Sequence, residues 1–450
     1  MAQQNPVVAG ATETLARYAA ELTWETLPEA VVAEAKRAIL DFHGAAIAGS
    51  RDAVVDKLLA VYAARAGAPE ASLVGRERKA DVLSAALING AAGHALDFDD
   101  THADFFYHGT VPVAPVVWAL GESLGASGRE LLTAFVAGWE VGARIGRAVY
   151  PHLYHKGWQG TATVGTFAAA VAAGKLLKLD VHGMRNAIGL AASQAGGTRQ
   201  MLGTMSKPFQ CGKAGMNGLL GALLSREGLT SSLVALEAPL GFAALTSPSY
   251  DLEKAVGDPG TRWELLRNTY KPYSCCLKHH ATVDAFLALR RTHDVTPEHL
   301  RSATCVVYPA VLDTANVDEP RTGPEGKFSV QHSAAVALTD NRAALAQYSD
   351  ERVRDPKLAV LRRKLRFIPD AAVRPDQCEV TAETTDGTTI KVRVEEALGG
   401  IGRPLSDADL EAKFRDIASP VADAARQDRL LSAFRALERV ADVRSVTADW

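Results

Sequence analysis

The chain has 450 residues, of which 47% are hydrophobic and 22% charged, and a formal net charge of −3. That apolar content supplies ordinary cores for domains of about 100 to 200 residues each and excludes a disordered chain. The near-neutral balance, with no run of Lys and Arg, excludes a nucleic-acid-binding surface.

Met1 to Gly10 lack a basic region followed by an apolar core, and no later segment sustains about 20 apolar residues without charge, so the expectation is a cytoplasmic protein with no membrane partner. From about residue 7 to 270 the text is rich in Ala and Leu at helical spacing, broken by Gly and Pro, which predicts helix packed on helix. Pro28 to Ala48 opens on a proline suited to a first turn, Leu83 to Ala95 is a helix of small residues, and Leu131 to Val149 repeats apolar residues near the helical period. After about residue 270 the texture changes. Ala303 to Tyr308, Lys364 to Ile368, Gln377 to Glu383 and Thr388 to Val394 read as strands, the last two joined at Thr385-Asp386-Gly387 by a predicted type I′ hairpin. Helices over Ala281 to Arg291 and Ser329 to Leu338 would cover one face of that sheet. Helical text returns at Asp407 to Ile417, after a plausible N-cap at Ser406, and at Pro420 to Leu437. The predicted fold is therefore mostly α with a smaller α+β domain. Residues 1–268 and 397–450 form the helical domain and 269–396 the α+β domain.

Residues 94 to 108 gather four carboxylates (Asp97, Asp99, Asp100, Asp104) among three imidazoles (His94, His102, His108). A helix continued through this island would put His94, Asp97 and Thr101 on one face, suited to proton chemistry or to a metal. Asp97-Phe98-Asp99-Asp100-Thr101 also fits the DxDxT nucleophile motif of haloacid-dehalogenase-type phosphatases, but that motif follows a hydrophobic strand, and here a helix precedes it. Asp99, Asp100 and Asp104 are assigned to helix capping, support or the surface. A second island, Gly197 to Ala214, connects two helices and carries Arg199, Lys207 and Lys213, with a helix expected to start near Gly212. Pro208 restricts the backbone of Lys207. A third, Tyr270 to His280, lies at the domain junction, where ligand sites are favoured. Its adjacent Cys275 and Cys276 fit neither a CxxC motif nor a disulfide framework and are read as buried thiols.

Taken together these islands resemble the MmgE/PrpD family, which includes 2-methylcitrate dehydratase, cis-aconitate decarboxylase and iminodisuccinate epimerase. The resemblance runs through Asn89-Gly90-Ala91-Ala92-Gly93-His94, Asp97 to Thr101, Thr161 to Phe167, Lys207-Pro208-Phe209, Tyr270-Lys271-Pro272-Tyr273, Lys327-Phe328-Ser329 and Lys413-Phe414. It implies a helical domain built from both chain ends, an α+β lid, a homodimer and a cleft between domains that needs no cofactor and no metal. It also implies acid/base chemistry beside a carboxylate of a small-molecule substrate, with site positions on Asp97, Thr101, His108, Gln159, Lys207 and His280. In that scheme Asp97, His108 and Lys207 are catalytic. Thr101, Gln159 and His280 bind substrate, and Ser206 and Lys278 are expected as further substrate-binding groups of this chain, Lys278 taking up a carboxylate contact that Leu277 cannot make.

Several positions depart from the family pattern. Gln159 and Gln210 stand where many relatives carry His, Leu277 where many carry Arg, and the Ala315-to-Pro320 stretch has no counterpart of the decarboxylase branch's tyrosine. A glutamine hydrogen-bonds but does not shuttle a proton near neutral pH. The expectation is accordingly a hydro-lyase acting on a hydroxylated di- or tricarboxylate, ahead of a decarboxylase of a cis-aconitate-like substrate or an epimerase. A non-catalytic carboxylate-binding protein is the reading from another class.

Overall fold

Side chains that satisfy the free N–H groups of a helix start decide where many of these helices begin. Ser127 and Glu130 cap each other's backbone, so the helix expected from Leu131 starts earlier. Asp423 accepts from Arg426 N at 2.8 Å, so the helix expected from Pro420 starts later. The computed structural model describes residues 10–62, 67–314 and 316–450; the Met1-to-Gly10 reading lies almost wholly outside these, as does Ala315. The fold is mostly α with small sheets, and the chain divides into two compact units, residues 1–269 with 407–450, and residues 270–406.

In the first unit the longer helices before residue 270 are α1 (Ala11–Glu21), α2 (Glu29–Gly49), α3 (Ala53–Tyr62), α4 (Val82–Ala95), α5 (Thr110–Leu124), α6 (Gly128–Val149), α7 (Gly160–Leu176), α8 (Val181–Ala192) and α9 (Ser206–Arg226). Two antiparallel pairs interrupt them: β1 (Ala71–Leu73) with β2 (Arg78–Ala80), and β3 (Thr101–His102) with β4 (Asn268–Thr269). These strands are two or three residues long, too short to show alternation in the sequence. Helices α4 and α7 are buried on nearly every face, as central helices must be. Small residues let their neighbours close in. A Cβ on Gly212 of α9 would lie 2.3 Å from Leu87 O, and one on Gly218 would lie 2.4 Å from Thr166 O. The glycines thus press α9 onto both α4 and α7.

In the second unit α10 (His280–Thr292), β5 (Leu300–Val307), α11 (Val330–Asp340), β6 (Leu365–Pro369), β7 (Cys378–Thr384) and β8 (Thr389–Val394) build a sheet of order β6-β5-β7-β8. β5 runs parallel to β6 and antiparallel to β7. Inward residues alternate along it, Leu300, Ala303, Cys305 and Val307 from β5 and Cys378, Val380 and Ala382 from β7. α10 packs on β7 and β8, and α11 on α10. The hairpin is not type I′: of its loop residues Gly387 alone has positive φ, at 88°, and Gly387 N bonds Thr384 O at 3.0 Å. Thr388 O then accepts from Thr384 N at 2.9 Å, the pattern of a three-residue loop closed by a glycine bulge. The chain ends with α12 (Asp407–Ala418) and α13 (Ala424–Arg435), both in the first unit. Among the described residues no helix is long and apolar enough to cross a membrane.

Candidate active site

Helix α4 stops at Ala95 and does not run through the acidic island. Asp97 takes a left-handed conformation (φ 51°), one that Asp tolerates better than most residues, and this turns the chain out of the helix. The continuous helical face of His94, Asp97 and Thr101 is therefore replaced by a loop that folds back over the end of α4. Thr101 and His102 enter β3, pinned to β4, and His102 N bonds Tyr107 O at 2.8 Å to close the turn. His108 N then donates to Thr161 Oγ1 in the first turn of α7 at 2.9 Å.

Asp99 and Asp100 are not surface groups, as the sequence suggested; they are 0% and 1% exposed. The folded-back loop points both inward. Asp100 Oδ2 accepts from Asn268 Nδ2 at 2.7 Å and from the Thr110 hydroxyl, tying the loop to β4 and α5. Burial, reinforced by the nearby carboxylate of Asp41, pushes the Asp100 carboxyl well above the usual range. Asp99 has its oxygens 2.9 Å from His94 Nδ1, and its Oδ2 lies 2.9 Å from His108 Nδ1. Burial alone would raise its pKa. The two imidazoles outweigh burial and hold it well below the ordinary value, so Asp99 is ionised. His94 is driven the other way, down to about 4, because burial of its ring outweighs the attraction of Asp99. Asp104 is on the outside, paired with Arg267 and Arg262.

Lys207 reaches this cluster from α9. The helix starts at Ser206, not near Gly212, and Pro208 fits because a proline in the first turn removes an N–H that has no intrahelical partner. Lys207 Nζ lies 2.8 Å from Asp97 Oδ1, both side chains being largely buried. Thr101 is buried, its hydroxyl 3.4 Å from Tyr107 O. Ser206 N bonds Thr204 Oγ1 at 3.2 Å, at the start of the same helix. The structure thus brings together Asp97, His108 and Lys207 and adds His94 and Asp99. In the sequence Asp99 carries no signal beyond its place in the acidic island, and Lys207 lies in a different island.

The two glutamines have structural duties. Gln159 caps α7, its Oε1 accepting from Ala162 N at 2.5 Å while Nε2 faces Cys211 Sγ at 3.7 Å. Gln210 holds both backbone groups of Thr198, at 3.1 Å to N and 3.3 Å to O. In the second unit Lys278 lies in a short turn, Leu277–His279, and His280 opens α10, fully buried with its ring edge-on to Tyr273 at 5.4 Å. Burial pushes the Cys275 thiol up to about 12, which leaves it protonated and unsuited to nucleophilic attack.

Ligand atoms of His94, Asp97, Asp99 and His108 all lie within 4.8 Å of one another, spacing that would also suit a metal ion. Here the ammonium of Lys207 supplies the cation beside Asp97, and both imidazoles turn Nδ1 toward Asp99. A buried ammonium beside an imidazole suits a reaction that builds negative charge on a carboxylate and moves a proton at the neighbouring carbon.

The MmgE/PrpD N-terminal domain matches residues 13–255, and the MmgE/PrpD C-terminal domain matches residues 273–439. Cis-aconitate decarboxylase of Aspergillus terreus (strain NIH 2624 / FGSC A1156) is 30% identical over 468 residues, which cover 96% of this chain and 94% of that protein. The cis-aconitate decarboxylases of Mus musculus and Homo sapiens are 29% and 28% identical, each over 97% of this chain and over 92% and 93% of their own lengths. With both halves of the chain matched, and a relative at this identity aligned along nearly all of it, the protein belongs to the MmgE/PrpD family.

Proposed function

We propose that this protein is a cofactor-independent lyase that decarboxylates a small polycarboxylic acid of the cis-aconitate type. The observation that carries the reading is the pairing of Lys207 with Asp97 beside the His94, Asp99 and His108 cluster. Decarboxylation moves ahead of the dehydration expected first from the sequence because relatives aligned along almost the whole chain bear the name cis-aconitate decarboxylase. The residue departures lose force as well, since Gln159 and Gln210 are engaged in holding the backbone.

In this scheme a substrate carboxylate approaches Lys207. The bond between the departing carboxylate and its carbon breaks, carbon dioxide leaves, and the electron pair spreads across the adjacent double bond into a second carboxylate. Lys207 stabilises the resulting dianionic enediolate, where a fixed cation in a water-poor site is worth more than in bulk water. His108 takes a proton from solvent at Nε2 and passes it to the carbon that ends as CH2, and Asp97 holds the ammonium in place. Thr101 donates to a carboxylate oxygen, and Ser206, Lys278 and His280 are proposed as further carboxylate-binding groups. A homodimer, tested by sedimentation, belongs to the same proposal.

Incubation with cis-aconitate and related acids in deuterated water, followed by proton NMR, tests the reading. Loss of carbon dioxide with one deuterium gained at carbon is the expected result. Water loss alone would make the protein a hydro-lyase, deuterium exchange alone an epimerase, and an unchanged spectrum a carboxylate-binding protein.

A further inference from the structure

The cluster contains two groups, Asp99 and His94, beyond Asp97, His108 and Lys207. Asp99 is completely buried, and its two oxygens serve two rings, with His94 Nδ1 and His108 Nδ1 each at 2.9 Å. A carboxylate has lone pairs enough for both, and an ionised one can only accept, so a proton on Nδ1 of each ring avoids setting a ring lone pair against it. The rings stand nearly edge to face, 4.6 Å apart with 69° between their planes, so they are held as one unit. His94 Nε2 is buried with no hydrogen-bond partner among the described residues, and His108 Nδ1 faces Asp99 at 2.9 Å as an ion-pair contact, not as an aligned hydrogen bond. A buried nitrogen without a partner is costly in a residue kept only for packing, and such exceptions call for a functional explanation. Among the described residues the charged or titratable groups around this unit include Asp97 and Asp100 of the same loop and Lys207 and Cys211 of α9.

We propose that Asp99 and His94 are positioning residues for His108: the carboxylate fixes the Nδ1–H tautomer of both rings and turns Nε2 of His108 to the substrate, and His94 braces the carboxylate from its other side. This rests on the reading of His108 as the proton carrier of the proposed lyase. His94 itself stays neutral near pH 7, because burial lowers its pKa to about 4, so it braces without competing for the transferred proton.

Nitrogen-15 NMR of the histidine rings in the substrate-free protein tests the placement without any turnover, and kinetics on cis-aconitate tests its consequence. In the wild type both His94 and His108 should show the Nδ1–H tautomer. Asp99→Asn should shift His108 toward Nε2–H and lower kcat by about 100-fold or more, the order expected when a general acid or base is misaligned, with KM changed less than about 3-fold. His94→Asn keeps an N–H near the position of Nδ1 and should stay within about 10-fold of wild type, while His94→Phe should fall about 100-fold. A folded Asp99→Asn protein with the wild-type tautomer and kcat would overturn the proposal, and so would a fully active His94→Phe. Wild-type tautomers as described, in a protein that turns over no acid, would keep the placement and refute the lyase reading instead.

Discussion

Lys413 Nζ lies 2.7 Å from the carbonyl oxygen of Phe98, the residue between Asp97 and Asp99. The same ammonium bonds Asp41 Oδ1 at 2.6 Å and stands 4.2 Å from the centre of the Phe98 ring, so α12 near the end of the chain fastens the active-site loop to α2. The side chains of Lys413 and Asp41 are 7% and 1% exposed.

Removing one member of such a pair strands the other charge in the interior. Lys413→Met should therefore cost about 3 to 5 kcal/mol of unfolding free energy, and replacing Asp41 as well should recover part of the loss. Urea unfolding of the single and double variants measures both. A loss under about 1 kcal/mol would show that Asp41 is not buried as an anion. Activity should fall too, since the loop holding Asp97 and Asp99 loses its anchor.

Gln159 offers a contrast between two roles. As the cap of α7 it satisfies Ala162 N, so Gln159→Ala should cost about 1 kcal/mol of stability, read as a lowered Tm. Gln159→Glu retains the acceptor and should stay closer to wild type. Equal Tm for all three proteins would remove the capping role.

His43 gives the fold a pH dependence separate from the site. Its ring sits among Phe42, Trp118, Phe434 and Trp450, and burial lowers its pKa to about 4, partly offset by a 2.7 Å bond to Ile39 O. Between about pH 6.5 and 4 the unfolded chain binds a proton there that the folded chain does not, so this residue makes stability fall as pH falls. Above pH 6.5 both states are neutral and the contribution is flat. His43→Phe should therefore reduce the slope of stability against pH in that window by about 1.4 kcal/mol per unit. Denaturant titrations at pH 4.5, about 5.5 and about 6.5 would show it, and identical slopes would place His43 in contact with water.

Much of this was legible in the residues because it is local. The small-residue text of Leu83 to Ala95, the β-branched runs after residue 300 and the Asp-Gly turn each announce their element, and the first two fall within a few residues of their expected bounds. The site resisted in two places. The bend at Asp97 needs a left-handed residue that a helical pattern does not signal, and without it Asp99 and Asp100 look like solvent-facing acids. The duties of Gln159 and Gln210 were hidden for another reason. Their partners, Ala162 and Thr198, are backbone groups, which leave no trace in side-chain spacing. Lys413, whose partners lie more than 300 residues away, could be noticed as part of a pattern but not given a task.

The most direct test of the account is proton NMR of cis-aconitate in deuterated water with the wild-type protein and with Lys207→Ala, both shown to be folded by circular dichroism. The wild type should form a singly deuterated, decarboxylated product, and Lys207→Ala should form none. A folded Lys207→Ala protein that forms the same product at the wild-type rate would contradict it.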